Sequence, residues 1–270
     1  MEPHTLKNIR IAVITQNDNY VIPRNLKLLC DEHWIDISEV VIVNAKGSLE
    51  NKKLLFIKGF GLSQTLKMAL VTLVFKFRSL LAGSFRFLGK SEWLNLRGLC
   101  SLHEIPYGNE SNVNDENFIK RLAQYKLDLV VSFSAPTVFK KDLLNLARHG
   151  CINLHSSALP SYAGVLPSFW MLLNNEKKAG VSVHLMDSMI DNGAVIKQDL
   201  IDISSMNNMF DVIQATKFCG GHSMLNVLDY LHKNGKLPDP IDTSHNQRSY
   251  FSWPKVEDIK KLVAGGKRLI

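Results

Sequence analysis

Cysteine is scarce and scattered: Cys30, Cys100, Cys151 and Cys219 form no C-x-x-C pair. That spacing argues against a disulfide framework or a zinc ribbon and fits a reducing compartment. Uninterrupted apolar runs of bilayer length are also missing, because the most apolar stretch, Leu62 to Leu81, is broken by Lys67, Lys76 and Arg78. Met1 to Arg10 is polar and lacks the apolar core of a signal peptide, so a cytoplasmic location is expected. No internal repeat or low-complexity tract is present. The first apolar run is not followed by G-x-G-x-x-G, which argues against a dinucleotide site of the usual kind. Negative charge is in deficit, 25 Asp and Glu against 32 Lys and Arg, a net +7. The excess suits an anionic partner, whether a nucleotide diphosphate, RNA or an acidic membrane surface.

What is present is a globular composition, with 46% hydrophobic and 21% charged residues over 270 positions. Ile9–Thr15, Val40–Val43, Leu102–Tyr107, Leu127–Phe133 and Val181–Met186 read as strands. Helices are predicted from Pro23 to about Glu32, over Val113–Lys126 with Asp115 or Asn114 near the start, and over Met209–His232 before the Asn234-Gly235 stop signal. The alternation predicts an α/β fold with a doubly wound, mostly parallel sheet. The segment from about 45 to 97 is an insertion whose core, Leu62–Leu81, is a helix packed on the body or at a homodimer contact. A second reading lays it, with its basic flanks, on an anionic membrane surface.

The densest chemistry lies between His149 and Ile196. Cys151-Ile152-Asn153-Leu154-His155 reads as the end of a buried strand, and alternation puts Asn153 and His155 on one face with Ile152 and Leu154 on the other. Pro160, Gly164 and Pro167 make the next segment a loop, with a helix starting near Ser168. Polar residues at a strand end followed by a wide loop are how an open α/β sheet makes a site. Asp187 to Gly193 is a turn carrying two acids, Asp187 and Asp191.

The string from Asn153 to Gly164 resembles the N-L-H-x-S-x-L-P-x-Y-x-G signature of the formyltransferases that use 10-formyltetrahydrofolate. Their D-x-x-x-D-x-G turn falls on Asp187, Asp191 and Gly193. The resemblance implies a Rossmann-like formyltransferase fold, a catalytic set of Asn153, His155 and Asp191, and no metal. It implies a folate site near Phe133, Ser134, Val138, Met186, Asp187 and Gly193. Asn153 and His155 would stabilise the oxygen of a tetrahedral intermediate, and Asp191 would orient His155 and help a water remove the amine proton.

The same resemblance divides the chain into a catalytic domain, 1–206, and a C-terminal helix and tail, 207–270, that is not an OB barrel. The tail's Tyr250-Phe251-Ser252-Trp253-Pro254 is expected to dock on the body rather than line the acceptor site. The acceptor is expected to be a primary amine, first a nucleotide-linked amino sugar. Methionyl-tRNA, hydroxyornithine, hydrolysis of the folate and a non-catalytic folate-binding role are the alternatives.

Overall fold

In the computed structural model, residues 8–18, 20–44, 49–84, 95–245 and 247–270 are described. The elements run β1 Ile9–Thr15, α1 Ile22–Cys30, β2 Ile35–Val43, α2 Leu49–Ser84, α3 Leu96–Leu102, β3 Tyr107–Glu110, α4 Glu116–Ala123 and β4 Leu129–Phe133. They continue with α5 Lys141–Leu144, β5 Cys151–His155, β6 Ala163–Gly164, α6 Pro167–Leu173, β7 Lys178–Leu185, β8 Val195–Asp202, α7 Met209–Asn234, β9 Tyr250–Phe251 and α8 Val256–Ala264. Seven strands form one sheet in the order β3-β2-β1-β4-β5-β7-β8. The first five in that order are parallel, and β7 and β8 are antiparallel additions.

Alternation along β1 shows why both faces are covered. Ile9, Ile11 and Val13 join the core that includes Leu26 and Leu29 of α1 and Met224, Val227 and Leu228 of α7. Ala12 and Ile14 join the opposite core, with Phe118 and Leu122 of α4 and Leu143 of α5. A strand buried on both faces is mostly apolar, as β1 is apart from Arg10 and Thr15, and β4 apart from Ser132.

The third strand lies later than Leu102–Tyr107. Asn95 caps α3, its side-chain oxygen accepting from the Gly98 amide at 2.8 Å, and Leu96, Leu99 and Cys100 bury one helical face while Leu102 is exposed. The chain then turns through a left-handed Glu104 (φ 56°) before β3 begins at Tyr107. Inside α2, Gly61 is non-helical (φ 82°), so two helical segments meet at an angle there.

The tail docks by pairing and stacking. β9 runs parallel to β6, and Phe251 stacks on Tyr162 at 5.3 Å and on Trp170 at 4.7 Å between ring centroids. Tyr250 and Trp253 keep substantial exposure. α8 packs on the first segment of α2, where Gly59 lies so close to Ile259 that a Cβ would sit 2.5 Å from that side chain.

Candidate active site

Register lines up three polar side chains across three strands. Asn153 of β5 sits opposite Ser132 of β4 on one side and His184 of β7 on the other. The Asn153 amide nitrogen lies 3.1 Å from His184 Nε2, and His184 Nδ1 lies 2.8 Å from the Leu185 carbonyl. A carbonyl only accepts, so Nδ1 carries the hydrogen and Nε2 offers its lone pair to the amide. His184 thereby fixes which way Asn153 points and leaves the second amide hydrogen of Asn153 for another acceptor.

The turn after β7 returns Asp191 to this row. Its carboxylate lies 3.5 Å from His155 Nδ1 through one oxygen and 3.7 Å from His184 Nε2 through the other. The Gly164 amide donates to the first of these oxygens at 2.9 Å. His155 Nε2 donates to the Tyr162 carbonyl at 3.0 Å. With that hydrogen on Nε2, Nδ1 is the ring nitrogen turned toward the Asp191 carboxylate.

Two glycines make this approach feasible. A Cβ on Gly193 would stand 1.8 Å from the Leu185 carbonyl oxygen. Gly164 is left-handed (φ 97°), and a Cβ there would stand 2.2 Å from the Phe251 carbonyl oxygen. Asp191 itself is left-handed (φ 48°), a conformation that Asp tolerates better than most residues.

The loop between β5 and α6 is pinned from below. The Ser182 hydroxyl donates to the Ser157 carbonyl at 2.7 Å and accepts from the Leu159 amide at 3.0 Å. Gln198 donates to both the Leu159 carbonyl and the Ser182 hydroxyl, each at 3.0 Å. Such a loop holds the Tyr162 carbonyl and the Gly164 amide on the site without help from a ligand.

Burial pushes the pKa of His184 below its ordinary value, the neighbouring His155 pushes it further down, and Asp191 opposes both. A histidine with a depressed folded pKa gives up no stability above its unfolded pKa and loses it as protons enter the unfolded state below. Unfolding free energy should therefore fall as pH drops below about 6.5. His184→Gln, which retains an acceptor for Asn153, should flatten that fall in urea titrations at pH 7.5 and 5.5. Some slope should survive, because His149 is depressed in the same direction by its own burial.

Beside Asn153 and Asp191 a cleft opens between the loop after β4 and the turn after β7. Val138, Met186 and Asp187 line it, together with Ser132, Ala135, Thr137 and Ile190. Phe133 does not: it is 1% exposed, in the core on the other face of the sheet. The difference is one residue along β4, and one residue flips the face, so Ser132 occupies the position. Ser134 also turns away, its left-handed backbone (φ 55°) aiming the hydroxyl at Lys217 of α7. Gly193 acts through the close backbone approach and does not line the cleft. His184 was not among the expected residues. Its signal lay in β7, where Ser182 and His184 alternate with Val181, Val183 and Leu185 and so share one face. A more open groove lies at the amino ends of β1 and β2, with Arg10 and Asp36 in its wall, paired to each other at 3.2 Å. Sheets of this type bind at the carboxyl ends, where Asn153 and His155 stand.

Residues 61–228 match the family model described as formyl transferase. The chain belongs to the formyltransferase family. It is 36% identical over 175 residues to a methionyl-tRNA formyltransferase of Clostridium beijerinckii, a match covering 60% of this chain and 56% of the relative. The chain spans about half the length of the methionyl-tRNA relatives it matches, 44% and 47% in two further cases. Among solved structures, WlaRD, a sugar 3N-formyl transferase crystallised in the presence of dTDP and 5-N-formyl-THF, aligns with TM-score 0.55 and 18% identity over 90% of this chain and 69% of its own. Glycinamide ribonucleotide transformylase 1 from Symbiobacterium toebii aligns with TM-score 0.58 and 15% identity, over 87% and 95%. Identities this low establish the shared fold.

Around this candidate site of the formyltransferase, the charged groups are committed unevenly. The Asp18 carboxylate accepts from the amides of Tyr20, Val21 and Ile22 at 2.8, 2.7 and 3.0 Å. The donors at the start of α1, where an anion could otherwise be cradled, are therefore already engaged. Lys217 is held against Ser134, and burial lowers its pKa while Asp18 raises it. Arg248 in the tail reaches Asn192, the neighbour of Asp191. Among the described residues, no cluster of His, Cys, Asp and Glu is disposed to hold a metal ion.

Proposed function

We propose that the protein is an N-formyltransferase that moves the formyl group of 10-formyltetrahydrofolate to a primary amine. The observation carrying this reading is that Asn153, His155, His184 and Asp191 converge within 3.1 to 3.7 Å contacts at the carboxyl end of β5, beside a half-apolar cleft. The pterin would enter that cleft, against Val138, Met186 and Asp187. The amine would approach from the side of Gly164 and the tail.

In the proposed reaction the amine nitrogen attacks the formyl carbon, and the carbonyl electrons move to oxygen. The free Asn153 amide hydrogen meets that oxygen, a contribution of about 3 kcal/mol for a well-aimed donor. The nitrogen becomes cationic and loses a proton to His155 Nδ1, directly or through a water, with Asp191 balancing the imidazolium. The oxygen electrons return, the bond from carbon to N10 breaks, and N10 takes up the proton that His155 gained, directly or through a water. The products are the formamide and tetrahydrofolate.

The favoured acceptor is the amino group of a nucleotide-linked sugar. Arg248 at the rim offers a cation for a diphosphate. The sugar N-formyltransferase WlaRD, crystallised with dTDP, shares the fold over 90% of this chain. Engagement of the α1 amides by Asp18 weighs against an anion bound at that helix end. Methionyl-tRNA is the second reading, favoured by sequence relatives such as the 36% identical protein.

The test follows release of tetrahydrofolate from 10-formyltetrahydrofolate with nucleotide-linked amino sugars, methionyl-tRNA, glycinamide ribonucleotide, hydroxyornithine or no acceptor. Acceptor-dependent release with a nucleotide-linked amino sugar supports the reading. Release only with methionyl-tRNA moves the acceptor to the second one, and formate without acceptor marks a hydrolase. Folate binding with no turnover anywhere defeats the enzymatic reading.

A further inference from the structure

The inner face of the second α2 segment is used up by the body. Tyr20 touches Thr72 through its hydroxyl and meets Phe75 edge-on at 5.2 Å. Ser79 accepts from the Asn95 amide at 3.0 Å, and Gln64 accepts from the Ile270 amide at 3.3 Å. The outer face is the reverse of what a solvated helix presents. Leu62, Leu66, Leu70, Leu73, Phe77 and Leu80 are each 59 to 70% exposed.

With 3.6 residues per turn these side chains fall on one stripe, which Val74 widens to about 120° of the helix circumference. The stripe is about 27 Å long at 1.5 Å per residue. Monomeric soluble proteins seldom leave so long a contiguous apolar surface bare.

The charge around the stripe selects its occupant. On the same wheel Lys76 borders one edge, and Lys67 and Arg78 border the other. From Asn51 to Ser84 the sequence contains no Asp or Glu. A second copy would bring an identical all-basic border, so like charges would face each other along both edges, whereas helix pairs use mixed charges there. The stripe is also broader than the seam of a two-helix coil. No described helix is long and apolar enough to cross a membrane.

We propose that α2 is an interfacial helix that seats the protein on an anionic bilayer surface. The leucines and Phe77 enter the acyl boundary, and Lys67, Lys76 and Arg78 lie among the anionic headgroups. The inference is independent of the acceptor and of the proposed chemistry.

The full chain should cosediment with vesicles of phosphatidylcholine and phosphatidylglycerol in equal parts, and far less with phosphatidylcholine alone. High salt should weaken the binding. Lys67→Glu with Lys76→Glu and Arg78→Glu should lower the affinity by roughly a hundredfold. Leu70→Glu with Phe77→Glu should abolish it while leaving the urea midpoint unchanged. A Leu73→Trp variant gives a second signal, a blue-shifted emission on adding the mixed vesicles. No cosedimentation and no blue shift would overturn the proposal. So would a stable dimer in ultracentrifugation that ignores vesicles and is dissociated by Leu70→Glu, which would assign the stripe to a second copy.

Discussion

His155→Ala is expected to lower kcat for formyl transfer by about a thousandfold while leaving folate affinity within about threefold, the span general-base catalysis usually covers. About 4 kcal/mol of barrier is at stake. The argument rests on the two ring nitrogens having separate duties. Nε2 is tied to the Tyr162 carbonyl, which fixes the ring, and Nδ1 faces Asp191. Alanine removes the proton acceptor but nothing that lines the folate cleft. Asp191→Asn should cost about a hundredfold, because the amide oxygen can still accept from Gly164 while the charge that balances the imidazolium is gone. Combining the two should cost little more than His155→Ala alone, since the residues act as a unit. Steady-state and single-turnover kinetics, with folate binding by fluorescence, make the comparison. A His155→Ala enzyme retaining most of its kcat would remove the base from the mechanism.

Gly193→Ala carries the second large effect, on both stability and activity. The added methyl cannot occupy a point 1.8 Å from the Leu185 oxygen, and that oxygen belongs to backbone that holds the end of β7. The turn must open, and Asp191 lies two residues away. A loss of about 2 to 4 kcal/mol is expected from overpacking against backbone, together with a fall in kcat approaching that of Asp191→Asn. Urea midpoints and kcat, measured on one preparation, test this. A variant with wild-type stability would mean that the turn relaxes freely and that the close approach is not required.

Much of this was legible in the sequence, for physical reasons that differ by element. β1 and β4 are buried on both faces, so their apolar runs stand out, and α4 announces itself through the Asp115 cap, whose oxygen accepts from Asn117 and Phe118. Asn153 and His155 follow from strand alternation alone. Placing Asp191 beside them needed the family motif, because the contact runs through a turn whose geometry is set by glycines and a left-handed aspartate. His184 left its mark as a polar residue in an alternating strand, but its partner is 31 residues away and becomes visible only when β7 turns antiparallel to β5. Phe133 and Ser132 are neighbours on β4, and alternation sends the Phe133 side chain into the core and the Ser132 side chain to the cleft. The apolar run Leu62–Leu81 left packing on the body, a dimer contact and a membrane surface open in sequence, since periodicity reports an apolar face and says nothing about what covers it.

The pairing of β6 with β9 bears on the order in which the molecule matures during synthesis. The cleft beside Asn153 is lined by residues between 132 and 191, and the sheet around it is covered on both faces once α7 has emerged. Gly164, whose amide holds Asp191, takes its place against the Phe251 carbonyl only when residues 250 and 251 have emerged. A nascent chain that has released α7 but not residues 250 and 251 would therefore hold the cleft before Gly164 was seated to fix Asp191, because domains build from the amino end as they are made. The last strand to arrive is the one that seats the glycine holding Asp191.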